Sequence, residues 1–114
     1  MAARSKQREV SLSTVARETL REIWLWNAAH YGLGHADGYL QFLDTAIGTL
    51  ARPETRGRPI ADRPGLSYLL IRRRTGGHGH LAVFQVAGNQ VTVLRLFHTA
   101  QDWQSALAVD VPSQ

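Results

Sequence analysis

In the first long segment with a regular pattern, the residues of one side-chain stripe recur every three or four positions. This is the spacing of one face of an α-helix. This stripe consists of Ala16, Leu20, Ile23, Asn27 and Tyr31. Ser13 or Thr14 precedes it, and either hydroxyl can accept a bond from an unpaired backbone N–H at the start of a helix. Gly32 and Gly34 follow the stripe and are expected to end this first helix.

A second helical stripe follows almost at once. The pattern predicts a helix over residues 34–51, which Arg52-Pro53 ends because the residue before a proline disfavours helical backbone. The stripe consists of Ala36, Leu40, Leu43, Ile47 and Leu50. Since only a few residues join the two helices, we expect them to form an antiparallel hairpin.

Strand-like alternation of apolar and polar positions precedes the helices once and follows them three times. The predicted strands are residues 9–13, 66–73, 81–86 and 91–97. Gly88-Asn89 is a two-residue hairpin signal, residues 52–66 form a long surface loop, and residues 101–109 form a final short helix. The predicted fold is therefore α+β in the order β-α-α-β-β-β. The helical hairpin packs on one face of a mostly antiparallel sheet, and a short C-terminal helix or tail ends the chain.

Both faces of this sheet carry apolar side chains, although a helical hairpin can cover only one of them. In the last strand, strict alternation separates Val91, Val93, Arg95 and Phe97 from Thr92, Leu94, Leu96 and His98. The face away from the hairpin must be covered by the C-terminal tail or by a partner, because large exposed apolar patches mark interaction sites.

Two tryptophans of the first helix pose a similar question. Trp24 and Trp26 lie about 200° apart around the helix axis, so they cannot share one narrow stripe. Either a wide face buries both against the sheet and the second helix, or Leu25 or Trp26 lies in an interface with a partner. The sequence leaves both arrangements open.

The composition is that of one folded domain with a basic surface. Hydrophobic residues make up 44% of the 114 residues, which is enough for a folded core. Thirteen basic residues face nine acidic ones, and all basic residues except Lys6 are arginine. Arginine pairs with carboxylates and phosphates alike, so an acidic protein and a nucleic acid are both compatible partners.

Other features of the sequence bear on compartment and domain limits. The chain has no cysteine, no secretory signal and no apolar run that could span a membrane, so we expect a cytoplasmic protein without membrane contact. Residues 1–8 are expected to form a mobile basic tail, residues 9–109 a single domain, and residues 110–114 a C-terminal tail.

Histidines near the end of the chain are the candidates for chemistry. His78 and His80 lie in a glycine-rich turn, and no third ligand is close in sequence, so we expect a turn and neither a metal nor a cofactor. His98 ends the last strand four residues before Asp102. It is either a general acid or base or a structural histidine bonded to the tail.

Three consecutive arginines are the candidates for binding. Arg72, Arg73 and Arg74 end a predicted strand, where alternation places Arg73 on the face opposite to its two neighbours. They are either a solvated strand end or a grip for an acidic segment or for phosphates.

A motif near the C-terminus is specific enough to suggest a family. Residues 93–103 read Val-Leu-Arg-Leu-Phe-His-Thr-Ala-Gln-Asp-Trp, and looser motifs lie at residues 50–59, 64–66 and 84–86. Together with the order of elements, they resemble the ParE branch of the RelE/ParE superfamily, the toxins of type II toxin–antitoxin modules once called plasmid stabilisation proteins. The likeness covers roughly residues 9–105.

Departures from the superfamily pattern shape what this resemblance implies. Ser67 and Gln85 stand where the family often has arginine, whereas Leu81 and Thr99 stand where the RNA-cleaving branch has an arginine and a tyrosine. The resemblance therefore implies a toxin that inhibits DNA gyrase and performs no chemistry itself.

The resemblance also implies partners and binding residues. A cognate ParD-like antitoxin would cover the toxin with an acidic C-terminal segment, giving a hetero-oligomer that can be a dimer of toxin–antitoxin pairs; direct binding of nucleic acid is not expected. The residues expected to bind antitoxin or target are Arg72, Arg73, Arg74, Arg95, His98, Trp103 and Trp26.

Two alternative functions stay open. One is a RelE-like, ribosome-dependent mRNA interferase, an endoribonuclease in which His98 and Asp102 would transfer protons. The other is an orphan member that is no longer toxic and serves only as a binding module.

Overall fold

A helical hairpin, a five-stranded sheet and a third helix make up the fold seen in the structure, a computed structural model that describes residues 7–74 and 77–110. Their order is β1 (Glu9–Leu12), α1 (Thr14–Tyr31), α2 (Leu33–Gly48), β2 (Arg58–Pro59), β3 (Leu66–Ile71), β4 (His80–Ala87), β5 (Gln90–His98) and α3 (Trp103–Asp110). The sheet order is β1-β5-β4-β3-β2, with β1 parallel to β5 and every other pair antiparallel. The predicted α+β fold is confirmed.

The hairpin begins and turns at residues that the sequence singled out. Ser13 caps α1, because its hydroxyl accepts from the Ala16 amide, and Gly32 ends α1 with a positive φ of 93°. Because Gly32 is the one residue between α1 and α2, its conformation alone connects the two helices. Gly34 consequently lies inside α2, and the expectation that it helps to end the first helix is wrong.

The first core lies between the hairpin and the sheet. Buried residues of α1, α2 and the following 3₁₀ helix Thr49–Ala51 meet one face of β3, β4 and β5 there. The cluster contains Ala16, Leu43, Ile47, Leu50, Ile71, Ala82, Phe84, Val91, Val93 and Leu96. The two predicted helical stripes therefore pack on the sheet as expected. The exceptions are Tyr31 and Leu40. Tyr31 is 61% exposed because it lies at the very end of α1, where its ring packs on surface aromatics. Leu40 is half-buried and lines a groove with Leu20 and Trp24 instead of the core.

The second core lies on the opposite face and is smaller. Its buried residues are Ile60, Leu81, Val83, Phe97 and Leu107. Leu107 belongs to α3, and Ile60 follows β2, so both the C-terminal helix and the loop before β3 cover this face. Within the described residues, α3 and the loop before β3 therefore supply the cover that the second apolar face of the sheet required.

An irregularity in β5 overturns the predicted division of its faces. Val83 pairs with Arg95 but Phe84 pairs with Val93, so Leu94 is an extra residue in a β-bulge. The alternation reverses there: Leu96 joins Val91 and Val93 in the first core, while Phe97 lies in the second core. Strict alternation was wrong because one inserted residue moves every later side chain to the other face.

The predicted loop and the end of the predicted N-terminal tail meet the domain at a few described residues. β2, which was expected to be loop, adds a two-residue edge strand. Arg8, the last residue of the predicted N-terminal tail, donates through its guanidinium to the carbonyls of Leu50, Arg52 and Thr55. Residues 1–6 and 111–114 lie outside the described residues. None of the described helices combines the length and the apolar character that a membrane span requires.

Candidate functional site

A cleft of about 430 Å³ lies between the hairpin and the ends of β4 and β5. Helices supply its aromatic wall, whereas strands and the turn before β4 supply imidazoles. The polar and aromatic side chains that line it are Trp26, Asn27, Tyr31, Tyr39, His78, His80 and His98. The bulge in β5 is what points His98 to this side, because the reversed alternation places Leu96 and His98 on the hairpin face with Val91 and Val93.

Tyr39 and His80 form the inner part of the cleft. The Tyr39 hydroxyl lies 2.6 Å from Nδ1 of His80, which makes this a short hydrogen bond. Burial and then the neighbouring His98 lower the pKa of His80 to about 4. Burial raises the pKa of Tyr39, although the Arg73 guanidinium opposes this. Both groups are therefore uncharged at neutral pH.

His98 and His78 are the exposed histidines of the cleft. The ring centre of His98 lies 5.2 Å from that of His80 and 5.9 Å from that of His78. The Nδ1 of His98 accepts from the Ala100 amide at 3.1 Å, so in the neutral ring the proton is on Nε2. The Thr99 hydroxyl accepts from the Gly79 amide, which fixes the turn between His78 and His80 beside it.

Trp26 and Tyr31 form an exposed rim on α1. The Trp26 ring is 53% exposed and stacks on His30 at 4.0 Å, with Tyr31 edge-on at 5.7 Å. Trp24 behaves differently, because its Nε1 donates to Asp37 at 2.8 Å and so ties α1 to α2. The arrangement in which one wide face buries both tryptophans is therefore wrong: Trp24 serves the hairpin, and Trp26 faces solvent.

The three arginines follow β3 and lie next to this cleft. The Arg73 guanidinium lies over the rings of Tyr39 and Phe42, 5.2 and 5.1 Å from their centres. Arg73 is thus on the hairpin side of the sheet, where cation–π contacts hold it. Arg72 and Arg74 are exposed beside it. Tyr39 therefore touches both His80 of the cleft and the arginine cluster.

Comparison with known families agrees with this arrangement of elements. A family model described as the ParE toxin of the type II toxin–antitoxin system, parDE, matches residues 10–103. This chain belongs to the ParE toxin family. It is therefore a toxin of the type II class, and the predicted resemblance is confirmed.

A solved ParDE structure shares the fold. The chain is similar to one described as "Chromosomal ParDE TA system from P. aeruginosa", with a TM-score of 0.69 and 22% sequence identity. The match covers 82% of this chain and 98% of the other. No curated protein matches the chain.

Other residues of the ParE motif lie away from the cleft. Arg95 is half-buried and its Nη1 donates to the Leu94 carbonyl in the bulge. Trp103 packs on Tyr68 and Phe97, with ring centres 5.0 and 6.5 Å apart, and so belongs to the second core. The structure thus places Trp103 across the sheet from His98, although both belong to one short motif.

Asp102 is at the start of α3, where its Oδ1 lies 3.5 Å from the Ser105 amide and its carbonyl accepts from Ala106. This is the position of a helix cap. Leu81, where the RNA-cleaving branch has an arginine, is buried in the second core. Gln85 is exposed, and Ser67 is half-buried on β3.

Metal binding finds no support among residues 7–74 and 77–110, since they contain no group of three or more His, Asp or Glu side chains placed to hold an ion. A larger groove of about 650 Å³ runs along the outside of the hairpin, between Leu20, Trp24 and Leu40. It is mainly apolar and open, whereas the His98 cleft has converging polar groups. The cleft is therefore the better candidate for specific recognition.

Sequence reasoning missed the part that Tyr39 plays. Tyr39 and His80 are 41 residues apart, and neither lies in a motif that links them. Tyr39 is next to Leu40 of the helical stripe, so its position beside the core was detectable. Its hydrogen bond to His80 was not detectable, because this bond depends on how β4 lies against α2.

Proposed function

We propose that this ParE-family toxin acts in the cytoplasm by binding DNA gyrase, that it performs no chemistry itself, and that a ParD-like antitoxin silences it. The antitoxin would do so through an acidic C-terminal segment, in a hetero-oligomer of toxin and antitoxin. Membership in the ParE family supports this choice over the RNA-cleaving branch.

The observation that carries the proposal is the set of side chains that line the His98 cleft. Its described lining includes no arginine or lysine, and His80 is neutral at physiological pH because its pKa is about 4. RNA cleavage by the 2′-hydroxyl builds negative charge on the phosphate, which such enzymes stabilise with cations. This cleft is suited to recognition and poorly suited to that reaction.

Two positions at which the RNA-cleaving branch has functional groups support the same conclusion. Leu81 has its side chain 2% exposed in the second core, so the position cannot present a group to RNA. The Thr99 hydroxyl is occupied by the Gly79 amide at 2.9 Å, so it serves the turn. Asp102, the alternative proton-transfer group, lies at the cap of α3.

An acidic partner suits the charge of the molecule. The net charge is +4, and Arg72 and Arg74 are exposed beside Arg73 at the end of β3. Guanidinium groups pair with carboxylates in well-defined geometry, and complementary charge speeds the encounter of two proteins.

Two assays of one protein preparation test the target. We expect the purified chain to inhibit DNA supercoiling by bacterial gyrase and to leave mRNA intact on translating ribosomes. Heat-denatured protein is the control in both. Cut mRNA with normal supercoiling would overturn the proposal, and loss of that cleavage in a folded His98→Ala variant would then establish the RNA-cleaving alternative.

A third result would identify the orphan alternative. If neither assay responds, but the small protein encoded beside this chain's gene binds it, the chain is a binding module without toxicity. Expression in a bacterium without that neighbouring protein checks this result, because the proposed toxin stops growth and the orphan does not.

A further inference from the structure

Asn27 occupies a stripe position of α1 and is buried, although it carries an amide. Only 8% of this residue is exposed, and its Nδ2 donates to the Ile23 carbonyl at 2.8 Å. Within the described residues its Oδ1 accepts no hydrogen bond, yet this atom is not sealed inside the protein. Because Asn27 lines the His98 cleft, its Oδ1 is an acceptor that a ligand in the cleft can use.

His98 supplies a hydrogen-bond donor to the same cleft. Its Nδ1 accepts from the Ala100 amide, so the neutral ring carries its proton on Nε2. This ring is exposed and lines the cleft, whereas the described lining residues include no arginine, lysine or carboxylate. The cleft therefore pairs an amide acceptor with an imidazole donor, and neither group requires a charged ligand.

The aromatic wall of the cleft includes a ring that is held in place and still exposed. Trp26 stacks on His30 with ring centres 4.0 Å apart, and Tyr31 contacts it edge-on at 5.7 Å. More than half of Trp26 is nevertheless exposed. A fixed, exposed indole offers a flat surface on which another flat ring can stack.

The combination of a flat aromatic surface, a donor and an acceptor indicates the class of ligand. Nucleobases are flat, carry N–H donors and ring acceptors at their edges, and stack on aromatic side chains whatever the base. A partner's tyrosine or tryptophan has one polar atom, which cannot face two separate groups of the cleft. A volume of about 430 Å³ is in the range of small-molecule sites. A nucleobase therefore fits this cleft better than an aromatic side chain does.

Arg73 lies one aromatic ring away from the cleft. Its Cζ is 5.2 Å from the centre of the Tyr39 ring, and that centre is 5.6 Å from the centre of the His80 ring. A guanidinium that lies over a ring keeps its N–H groups in its own plane, where they can bond a phosphate. In a nucleotide the sugar joins the phosphate to the base, so one ligand can reach both the cleft and Arg73.

We propose that the His98 cleft binds a nucleotide, whose base stacks on Trp26 and bonds Asn27 Oδ1 and His98 Nε2, while its phosphate pairs with Arg73. The nucleotide is bound and not cleaved. This inference goes beyond the proposed function and does not depend on it, because the ligand is neither gyrase nor the antitoxin. A free nucleotide and a single-stranded nucleic acid both carry this chemistry, and the experiments below separate them.

Three ligands separate the base from the phosphate. AMP carries both groups, adenosine lacks the phosphate, and ribose 5-phosphate lacks the base. By titration calorimetry we expect AMP to bind about tenfold more tightly than adenosine, and ribose 5-phosphate to bind more weakly than adenosine. Equal binding of AMP and ribose 5-phosphate would show that a phosphate alone is recognised and would overturn base recognition. If none of AMP, GMP, CMP and UMP binds at about 1 mM, the whole proposal is wrong.

Variants of α1 test the cleft itself. Asn27→Leu removes the acceptor, keeps a similar volume and should weaken adenosine binding at least about tenfold. Gln41→Leu removes an exposed amide on α2 outside the cleft and should leave this binding within about twofold. Trp26→Ala should weaken it about fivefold, whereas Trp26→Phe, which keeps a ring, should restore most of the loss. Thermal unfolding checks that each variant folds. Unchanged adenosine binding in folded Asn27→Leu or Trp26→Ala would overturn the assigned cleft.

A difference between two ligands tests Arg73. Arg73→Gln should weaken AMP binding about tenfold and leave adenosine binding within about twofold, because only AMP has a phosphate. Arg21→Gln removes the same charge from an exposed position on α1 and should change neither by more than about twofold. Equal loss of AMP affinity in the two variants would show a general charge effect and overturn the phosphate site.

An oligonucleotide identifies the source of the nucleotide. Single-stranded oligoadenylate that displaces AMP, binds more tightly than AMP and shows a steep salt dependence would identify single-stranded nucleic acid as the ligand. Oligoadenylate that binds no more tightly than AMP would identify the free nucleotide. The supercoiling assay measures gyrase inhibition separately, so either proposal can fail while the other stands.

Discussion

Tyr39 joins two parts of the surface that the sequence treats separately. Its hydroxyl bonds His80 in the cleft, and its ring lies beneath the Arg73 guanidinium. The sequence singled out His98 and the arginines as candidates, since they stand in recognisable patterns. It could not indicate the Tyr39–His80 contact, because no local pattern connects residues 41 positions apart.

The lowered pKa of His80 predicts how stability depends on pH. The folded chain holds this pKa at about 4, against an ordinary value of 6.5, so between these values the unfolded chain binds more protons. The free energy of unfolding should therefore fall as the pH falls through this window. We expect a loss on the order of 1–2 kcal/mol, because partial exposure of the ring weakens the effect.

Thermal unfolding of two variants between about pH 7 and about pH 4 checks this prediction. In His80→Asn the amide oxygen can still bond Tyr39, and the loss assigned to His80 should disappear. His30→Asn changes an exposed histidine on α1 and should behave as the original chain. An unchanged pH dependence in His80→Asn would show that another group is responsible.

At the scale of elements, the start of α1 and the bulge of β5 form one unit. The Ser13 hydroxyl accepts from the Ala16 amide and donates to the Leu94 carbonyl, while its own amide donates to Val93. Periodicity predicted every helix and all strands but β2, because each buries one regular stripe. It did not predict β2 or the bulge, which depend on pairing between distant segments.

Ser13→Ala removes both hydroxyl bonds at this junction. We expect the free energy of unfolding to fall by about 1–2 kcal/mol, since a helix cap and a half-buried hydrogen bond are lost together. Thr14→Ala, at the exposed first residue of α1, is the matched control and should change it by less than about 0.5 kcal/mol. Denaturant unfolding measures both. Equal effects would mean that the hydroxyl bonds of Ser13 add no stability.

At the scale of the whole molecule, the sheet is the middle layer between two unequal covers. The hairpin covers one face, and α3 with Ile60 covers the other. The sequence predicted that the second face needed a cover and named the tail or a partner. The sequence could not decide between the tail and a partner. Either cover requires the same apolar residues on that face of the strands, so the strand pattern is identical in both cases.

Leu107 and Val109 of α3 offer a comparison that tests this second cover. Leu107→Ala should lower the free energy of unfolding by about 2–4 kcal/mol, because Leu107 is 1% exposed in the second core. Val109 is 79% exposed, so Val109→Ala should change it by less than about 0.5 kcal/mol. If both variants unfold alike, α3 does not stabilise the domain as a cover.

The parallel pairing of β1 with β5 has a consequence for the time at which the molecule acquires its shape. Glu9 and its neighbour Gln90 are 81 positions apart. β1 therefore cannot pair until β5, the last strand of the sheet, has been synthesised. Contacts of such long range are closed late in folding, and folds that depend on them form slowly. During translation the hairpin can form first, but the complete sheet requires nearly the whole chain to have left the ribosome.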